Sequence, residues 1–523
     1  MMGDMDAEDV MEPSEAGIDG GDDNANPSTM SAISNTSDES PGPECDRSDD
    51  RRRIRNALVG LFCTVALVFA LSPVITNYDS YAVFPTAVSV VNHHTLSLDT
   101  YQNVQKVVSS YTVVRQHGHL LNYFPWAVAI FAIPSVVVLD LLHLVGGPSA
   151  DHVVITGGQL ESLAQMWSAS VTTALAITVM ALLAYRRLDG SPRTRRRLAI
   201  VCGLVLAFGT SAWSVASRSL WQHGPALLML ALGLLALDGV FPAKGYPPRG
   251  HATHRIFAAG ASLAFAIAVR PTNAIALVLV GAVLLWKRRH LIVSYVAAAL
   301  VVLVPWIVIT RLAYGTWFQP YDSAARLGHR APLLEAVGAN LISPSRGLLV
   351  FSPICVLAVV GVVISVLRSS FGMLEAVSAA AVPSYLLAVS LYPEWWAGNT
   401  FGPRYMSETL PFLFVLSLPF VNWLAAALRQ RRVGTINSSS GWLVVVAAGV
   451  MALVVWSVSA NAQGGVLRAS TCWNGVHGSA HNVDNDPSRV WSWGDPQFET
   501  GIRAISSRGL HAAITGACPA NSP

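Results

Sequence analysis

A chain of 523 residues that is 52% hydrophobic and only 12% charged cannot present the surface of a water-soluble globular protein, where about a quarter of residues carry charge. Its formal net charge of +3 gives no broad basic footprint, and no nucleic-acid partner is expected. That charge is unevenly spread, because residues 1–50 hold 15 of the 31 acidic residues. They read as a disordered acidic tail with too little apolar surface to offset the entropy of ordering. The tail joins no basic segment to an apolar one, so no cleaved signal peptide is expected.

The first predicted element is the apolar run 56–75, about 20 residues and long enough to cross ~30 Å of hydrocarbon as a helix. Arg51, Arg52, Arg53 and Arg55 precede it and should hold its start in the cytoplasm, so Asp79 emerges on the outer side. A long first outer loop follows. The run 124–145 is long enough to span, but a crossing there puts the basic loop 186–197 outside and reverses every later loop. With Pro125, Pro134, Asp140 and His143 in or beside it, the run reads as dipping into or lying along the outer leaflet. Further spans are expected at 165–184, 198–213, 225–241, 256–269, 273–286, 291–310, 348–367, 372–391, 408–427 and 441–459. The pair around Arg270-Pro271 reads as a tight turn near the outer face, or as partial spans. The loops placed inside hold 20 of the 34 Lys and Arg residues, which is the positive-inside pattern. The expected fold is therefore all-α and polytopic, with about 11 transmembrane helices in a plasma membrane. Its N-terminus is cytoplasmic and its C-terminus extracytoplasmic. Three regions are expected: the tail 1–50, a transmembrane domain 51–460 and an extracytoplasmic segment 461–523.

Four outer-side groups carry candidate chemistry. Asp79 lies just past the first span, where nearby lipid should raise its pKa and make it a proton acceptor near neutral pH. The bland alternative is a solvated aspartate capping the next helix. Arg218 and His223, in 214–225 with Trp221, either hold a phosphate or anchor the chain at the interface. Glu394, Trp395, Trp396 and Arg404 lie in one Gly-rich stretch, where aromatics offer a sugar-stacking surface and Arg404 a fork suited to phosphate oxygens. Arg346 lies in a similar turn. His93, His94, His117 and His119 have no matching carboxylate or cysteine spacing, so no metal site and no cofactor are expected, a metal ion not being excluded. Cys472 and Cys518 could pair if the C-terminal region faces an oxidising compartment.

In order and sidedness, Asp79, Phe124-Pro125, Ser217–His223, Val269-Arg270-Pro271, Ser343–Gly347 and Phe401–Tyr405 resemble GT-C-type glycosyltransferases, the polytopic class that uses polyprenyl-phosphate-linked sugars. The resemblance covers about 55–460. It implies Asp79 as general base, and Arg404, Arg346, Arg218 and His223 around the donor phosphate. On the acceptor side it implies Glu394, Trp395, Trp396 and Tyr81. It further implies a lipid-linked sugar donor and a cell-envelope glycan or glycolipid acceptor, with membrane lipid around both. Ser80 after Asp79 departs from the Asp-Glu pair of protein O-mannosyltransferases, and there is no Asp-x-Asp of the metal-dependent oligosaccharyltransferase branch. The composition looks actinobacterial, which favours arabinose or mannose by analogy alone. Two rivals stay open: a transporter or flippase of a lipid-linked glycan, and a non-catalytic assembly partner.

Overall fold

The computed structural model describes residues 43–76, 79–242, 250–322, 332–432, 441–475 and 482–516. Nearly all of the acidic tail therefore lies outside the described residues. From Asp50 onward the chain forms one compact unit, with the C-terminal segment packed into it.

Each of the eleven expected runs is helical in the structure, so the protein is an all-α, multi-pass membrane protein. Among the described residues, nine helices are long and apolar enough to cross a bilayer. Eight correspond to expected spans: Asp49–Leu71, Gln159–Arg187, His223–Val240, Ala252–Val269, Arg289–Tyr314, Met373–Ser390, Arg404–Arg431 and Gly441–Val466. The ninth is Trp126–His143. Three expected spans fall short of that length: Pro192–Phe208, whose first turns are basic, Pro271–Lys287, and 348–367. The last breaks at Ser352-Pro353 into Leu348–Phe351 and Val356–Leu367, because proline supplies no N–H to continue a helix.

The segment Trp126–His143 meets the bundle at one end. Trp126 Nε1 donates to Thr310 Oγ1 (3.0 Å), Phe131 packs edge-on against Phe265, and Ser135 hydroxyl-bonds to Ser168 (2.7 Å). Thr310 and Phe265 lie in the last turns of their helices, and Ser168 in the third turn of Gln159–Arg187. Residues 81–154 form their own apolar core with Leu220, Ala268, Trp306 and Tyr314 at that same end. A second, larger core runs through the bundle itself. Among the described residues, strand is confined to one antiparallel hairpin, Val113–Gln116 with His119–Asn122. His117 and Gly118 both take positive φ to turn it, as a two-residue type I′ connection requires.

At the far end of the bundle the helices Gln159–Arg187, His223–Val240 and Met373–Ser390 are joined by a buried ion triad. Arg187 donates from Nε to Asp238 (2.8 Å), from Nη1 to Glu375 and from Nη2 to the Phe241 carbonyl (2.9 Å). The helix ends carrying Arg186, Arg195 and Arg429 also belong to this end: Arg195 Nη2 donates to the Tyr185 hydroxyl (3.5 Å), and Arg429 lies against Gly190.

Candidate functional site

The chain reaches Asp79 along a fixed path. After Leu71 it runs extended through 72–76, and Arg218 holds it there. That guanidinium donates to the carbonyls of Phe69, Ser72 (2.9 Å) and Val74 (3.4 Å), and to Trp213 O and Ser217 Oγ (both 3.1 Å from Nε). Arg218 is fully buried and thus caps the C-terminal carbonyls of the first helix, where a cation also suits the helix dipole. Its preceding backbone is a single π-helical turn, Ala212–Ala216. Both N–H-bearing arms are engaged, so the expectation that Arg218 faces a donor phosphate is corrected: every donor is already spent on the protein.

Asp79 is about a quarter exposed and meets Arg404, its Oδ2 2.5 Å from Nη2. Tyr111 donates to Oδ1 (2.7 Å). Burial pushes the Asp79 carboxyl up, but Arg404, Tyr111 and His223 together more than offset this and hold it below the usual carboxylate range. The sequence expectation of a raised pKa is therefore reversed, because the nearest charge is a cation 325 residues away in the chain.

Behind this pair the polar groups continue inward. Arg404 Nε donates to His223 Nε2 (3.0 Å), and its guanidinium lies 4.1 Å from the centre of the Trp221 ring, a cation–π geometry. His223 Nδ1 stands 2.7 Å from Glu408 Oε1. Arg270 Nη1 lies 3.2–3.3 Å from the same imidazole and 3.5 Å from Glu408. This network assigns the tautomer: Nδ1–H donates to Glu408 and Nε2 accepts. His223 is fully buried, with both nitrogens facing protein, so it orients Arg404 and does not itself meet a phosphate. Glu408 and Arg270 complete the set that sequence reasoning left out of the site. The spacing Arg404 to Glu408, i to i+4 at a helix mouth, was the available signal. Arg270 also lines a small pocket, of about 20 Å³, with Pro271, Thr272, Tyr321, Val389, Tyr392 and Tyr405. Among the described residues Arg404 Nη1 has no protein partner, so Arg404 keeps a donor for a ligand.

No family model and no curated protein matches this chain. Three solved structures are similar to it at low identity. ArnT from Cupriavidus metallidurans, bound to undecaprenyl phosphate, is 16% identical with a TM-score of 0.45, over 78% of this chain and 71% of that one. An Archaeoglobus fulgidus oligosaccharyltransferase tethered to an acceptor peptide is 11% identical with a TM-score of 0.43, over 77% of this chain. The archaeal oligosaccharyltransferase AglB from Archaeoglobus fulgidus, in complex with an inhibitory peptide and a dolichol-phosphate, is 12% identical with a TM-score of 0.44, over 84% of this chain. The match spans 55% and 60% of the two archaeal chains.

The remaining predicted residues lie elsewhere. Arg346 is 1% exposed and donates to the carbonyls of Trp396 (2.6 Å), Ser345 (2.8 Å) and Gly398 (2.9 Å), to Gln497 (2.7 Å) and to Asn474 (3.1 Å). All five N–H donors are used, which corrects its expected role at the phosphate. Positive φ at Ala397 and Gly398 turns those carbonyls toward it. Arg346 thus ties the 394–404 loop to the C-terminal segment. Arg346→Met leaves those acceptors unpaired and is expected to cost about 3–5 kcal/mol. It should also speed proteolysis within 467–516 relative to the rest of the chain; an unchanged digestion pattern would contradict the tie.

Trp395 is 3% exposed, packed with Trp473, Val483 and Val490, so it is core and not a sugar-stacking surface. Trp396 is half-buried and donates to Asp484 (2.8 Å), and Glu394 is exposed. Tyr81 is buried next to Asp79. His93 pairs with Asp151 (2.8 Å) and His119 with Asp99 (2.6 Å). Among the described residues no group of three or more His, Cys, Asp or Glu is placed to hold a metal ion. Cys472 is disulfide-bonded, while Cys518 lies outside the described residues.

Proposed function

We propose that this protein is a GT-C-type glycosyltransferase that moves a sugar from a polyprenyl-phosphate donor to a cell-envelope glycan or glycolipid on the outer face of the plasma membrane. The observation that carries the reading is the Asp79–Arg404 pair at one end of a membrane bundle, backed by Arg270 beside an aromatic cavity. The basic loops gather at the opposite end, which favours a cytoplasmic N-terminus and an outward-facing site.

The donor is a phosphodiester with one negative charge. Its phosphate meets Arg404 and Arg270, and Arg404 exchanges Asp79 for the phosphate. With the cation drawn away, burial dominates and the Asp79 pKa rises, which turns a quiet carboxylate into a general base. Asp79 takes the acceptor hydroxyl proton as that oxygen bonds the anomeric carbon. The bond from that carbon to the phosphate oxygen breaks, and its electron pair leaves with the lipid phosphate. Arg404 and Arg270 stabilise the second negative charge that develops there. Attack opposite the leaving group inverts the anomeric centre. Arabinose and mannose are the sugars favoured, on analogy.

The test is transfer of labelled arabinose or mannose from synthetic polyprenyl phosphates to a cell-envelope extract, by protein in nanodiscs. Absence of transfer from every donor sinks the reading. The ion-pair exchange has its own signature in the pH dependence. A pKa depressed below the usual carboxylate range keeps Asp79 ionised in the free protein through neutral and mildly acid pH, and the pair is lost only as pH falls through that lowered pKa. The profile of kcat/KM for the donor, which reports free enzyme, should therefore show no Asp79 limb between about pH 5 and 8. The kcat profile, which reports the complex, should show its acid limb at higher pH. Coincident limbs would exclude the exchange.

A further inference from the structure

Next to Asp79 stands a second polar group that the proposed reaction leaves unused. Tyr81, Glu161 and Gln165 are 8%, 1% and 0% exposed. Yet the Tyr81 hydroxyl, both Glu161 carboxylate oxygens and Gln165 Nε2 have no hydrogen-bond partner among the described residues. Buried polar atoms are nearly always hydrogen-bonded, so orphans on these neighbouring side chains mark a place for a partner other than the described protein. A carboxylate at a bilayer boundary calls for one too.

Contacts link these side chains across separate elements. Glu161 and Gln165 stand four residues apart in the opening turns of the Gln159–Arg187 helix and so share a face. Lys106, from the short helix Gln105–Val108, places Nζ 3.6 Å from Glu161 Oε2 and 4.7 Å from the centre of the Tyr81 ring. Its side chain is half exposed and forms the solvent side of the group. Ser80, between Asp79 and Tyr81, donates to Gln165 Oε1 (2.9 Å) and fixes the group beside the candidate base. Burial and the Glu161 carboxylate both push the Tyr81 hydroxyl up, so it stays protonated and able to donate.

The lining selects its ligand. Glu161 disfavours a phosphate, and Lys106 disfavours a cation. Carboxylate oxygens, an amide N–H and a phenol side by side need groups that both donate and accept, which hydroxyls do. We propose that Tyr81, Lys106, Glu161 and Gln165 form a binding site for the hydroxyls of a neutral sugar. Resting on the glycosyltransfer reading, that sugar is the acceptor, held with one hydroxyl toward Asp79.

The probes are methyl α-mannopyranoside and methyl α-arabinofuranoside, followed by saturation-transfer NMR on the full-length protein in nanodiscs. At least one should contact the wild type. Tyr81→Phe should weaken that contact roughly fivefold, and Glu161→Gln roughly tenfold. The Tyr81 hydroxyl has no partner among the described residues, so Tyr81→Phe should leave the unfolding temperature unchanged or raised. A purely structural role predicts the reverse, lower stability with intact glycoside binding. The site is overturned if neither glycoside touches the wild type, or if both variants bind as the wild type does. Should Glu161→Gln fail to fold, Tyr81→Phe alone decides. Run beside the transfer assay, the two ideas separate. Transfer with variant-insensitive glycoside binding removes the site and keeps the enzyme. Variant-sensitive binding without transfer keeps the sugar site and removes the enzyme.

Discussion

Asp79→Asn is expected to lower sugar transfer roughly 1000-fold while leaving a folded protein, the range set by loss of a general base. The amide matches the carboxylate in size and still accepts a hydrogen bond from Arg404 or Tyr111, so the local geometry survives. What disappears is the ability to take a proton. Because Asp79 is about a quarter exposed, losing its charge should cost only about 1 kcal/mol of stability. The unfolding transition in nanodiscs or detergent should move little. A large drop in kcat with a donor KM that falls, because Arg404 no longer has to leave a carboxylate, would place the loss in the chemical step. Equal rates for both proteins would remove Asp79 from the mechanism.

Glu408→Gln should lower stability by about 3–5 kcal/mol, because it removes the buried negative charge facing Arg270 and His223. Glu408 is 1% exposed and Arg270 5%, so neither can recruit water in compensation. The loss should also reach activity, since His223 would no longer be held in the tautomer that accepts from Arg404. Pairing Glu408→Gln with Arg270→Met is the discriminating experiment. If the ion pair is the cause, the double variant loses less stability than the two single losses summed. Strict additivity would mean that Glu408 acts through packing alone.

Much of the architecture was legible because hydrophobic runs and basic loops are local signals. The eleven runs all appear as helices, and Asp79 and Arg404 were picked out by position and by a Gly-Pro-Arg turn. What the sequence hid was donor bookkeeping. Arg218, Arg346 and Arg404 look alike in the chain, each an arginine in an outer-edge turn. Only the folded backbone shows that the first two spend every N–H on carbonyls and side chains, while among the described residues Arg404 keeps both N–H groups of Nη1. Trp395 was misread for a related reason, since nothing local says that Trp473, Val483 and Val490 pack over it. Glu408 was taken as the start of a span because a charge at a helix mouth reads first as a boundary. The Asp79 pKa went the wrong way because its deciding neighbour lies far along the chain.

That separation also sets an order of assembly. Asp79 is synthesised 325 residues before Arg404, a delay of roughly 15–65 s at ordinary ribosomal rates. Arg187 waits similarly for Glu375, 188 residues later. For most of its synthesis the nascent protein thus carries ionic groups whose partners do not yet exist. The two ends of the bundle close late, the Arg187 triad first and the Asp79 pair after it. A product cut short before residue 404 would carry Asp79 without the cation that holds it.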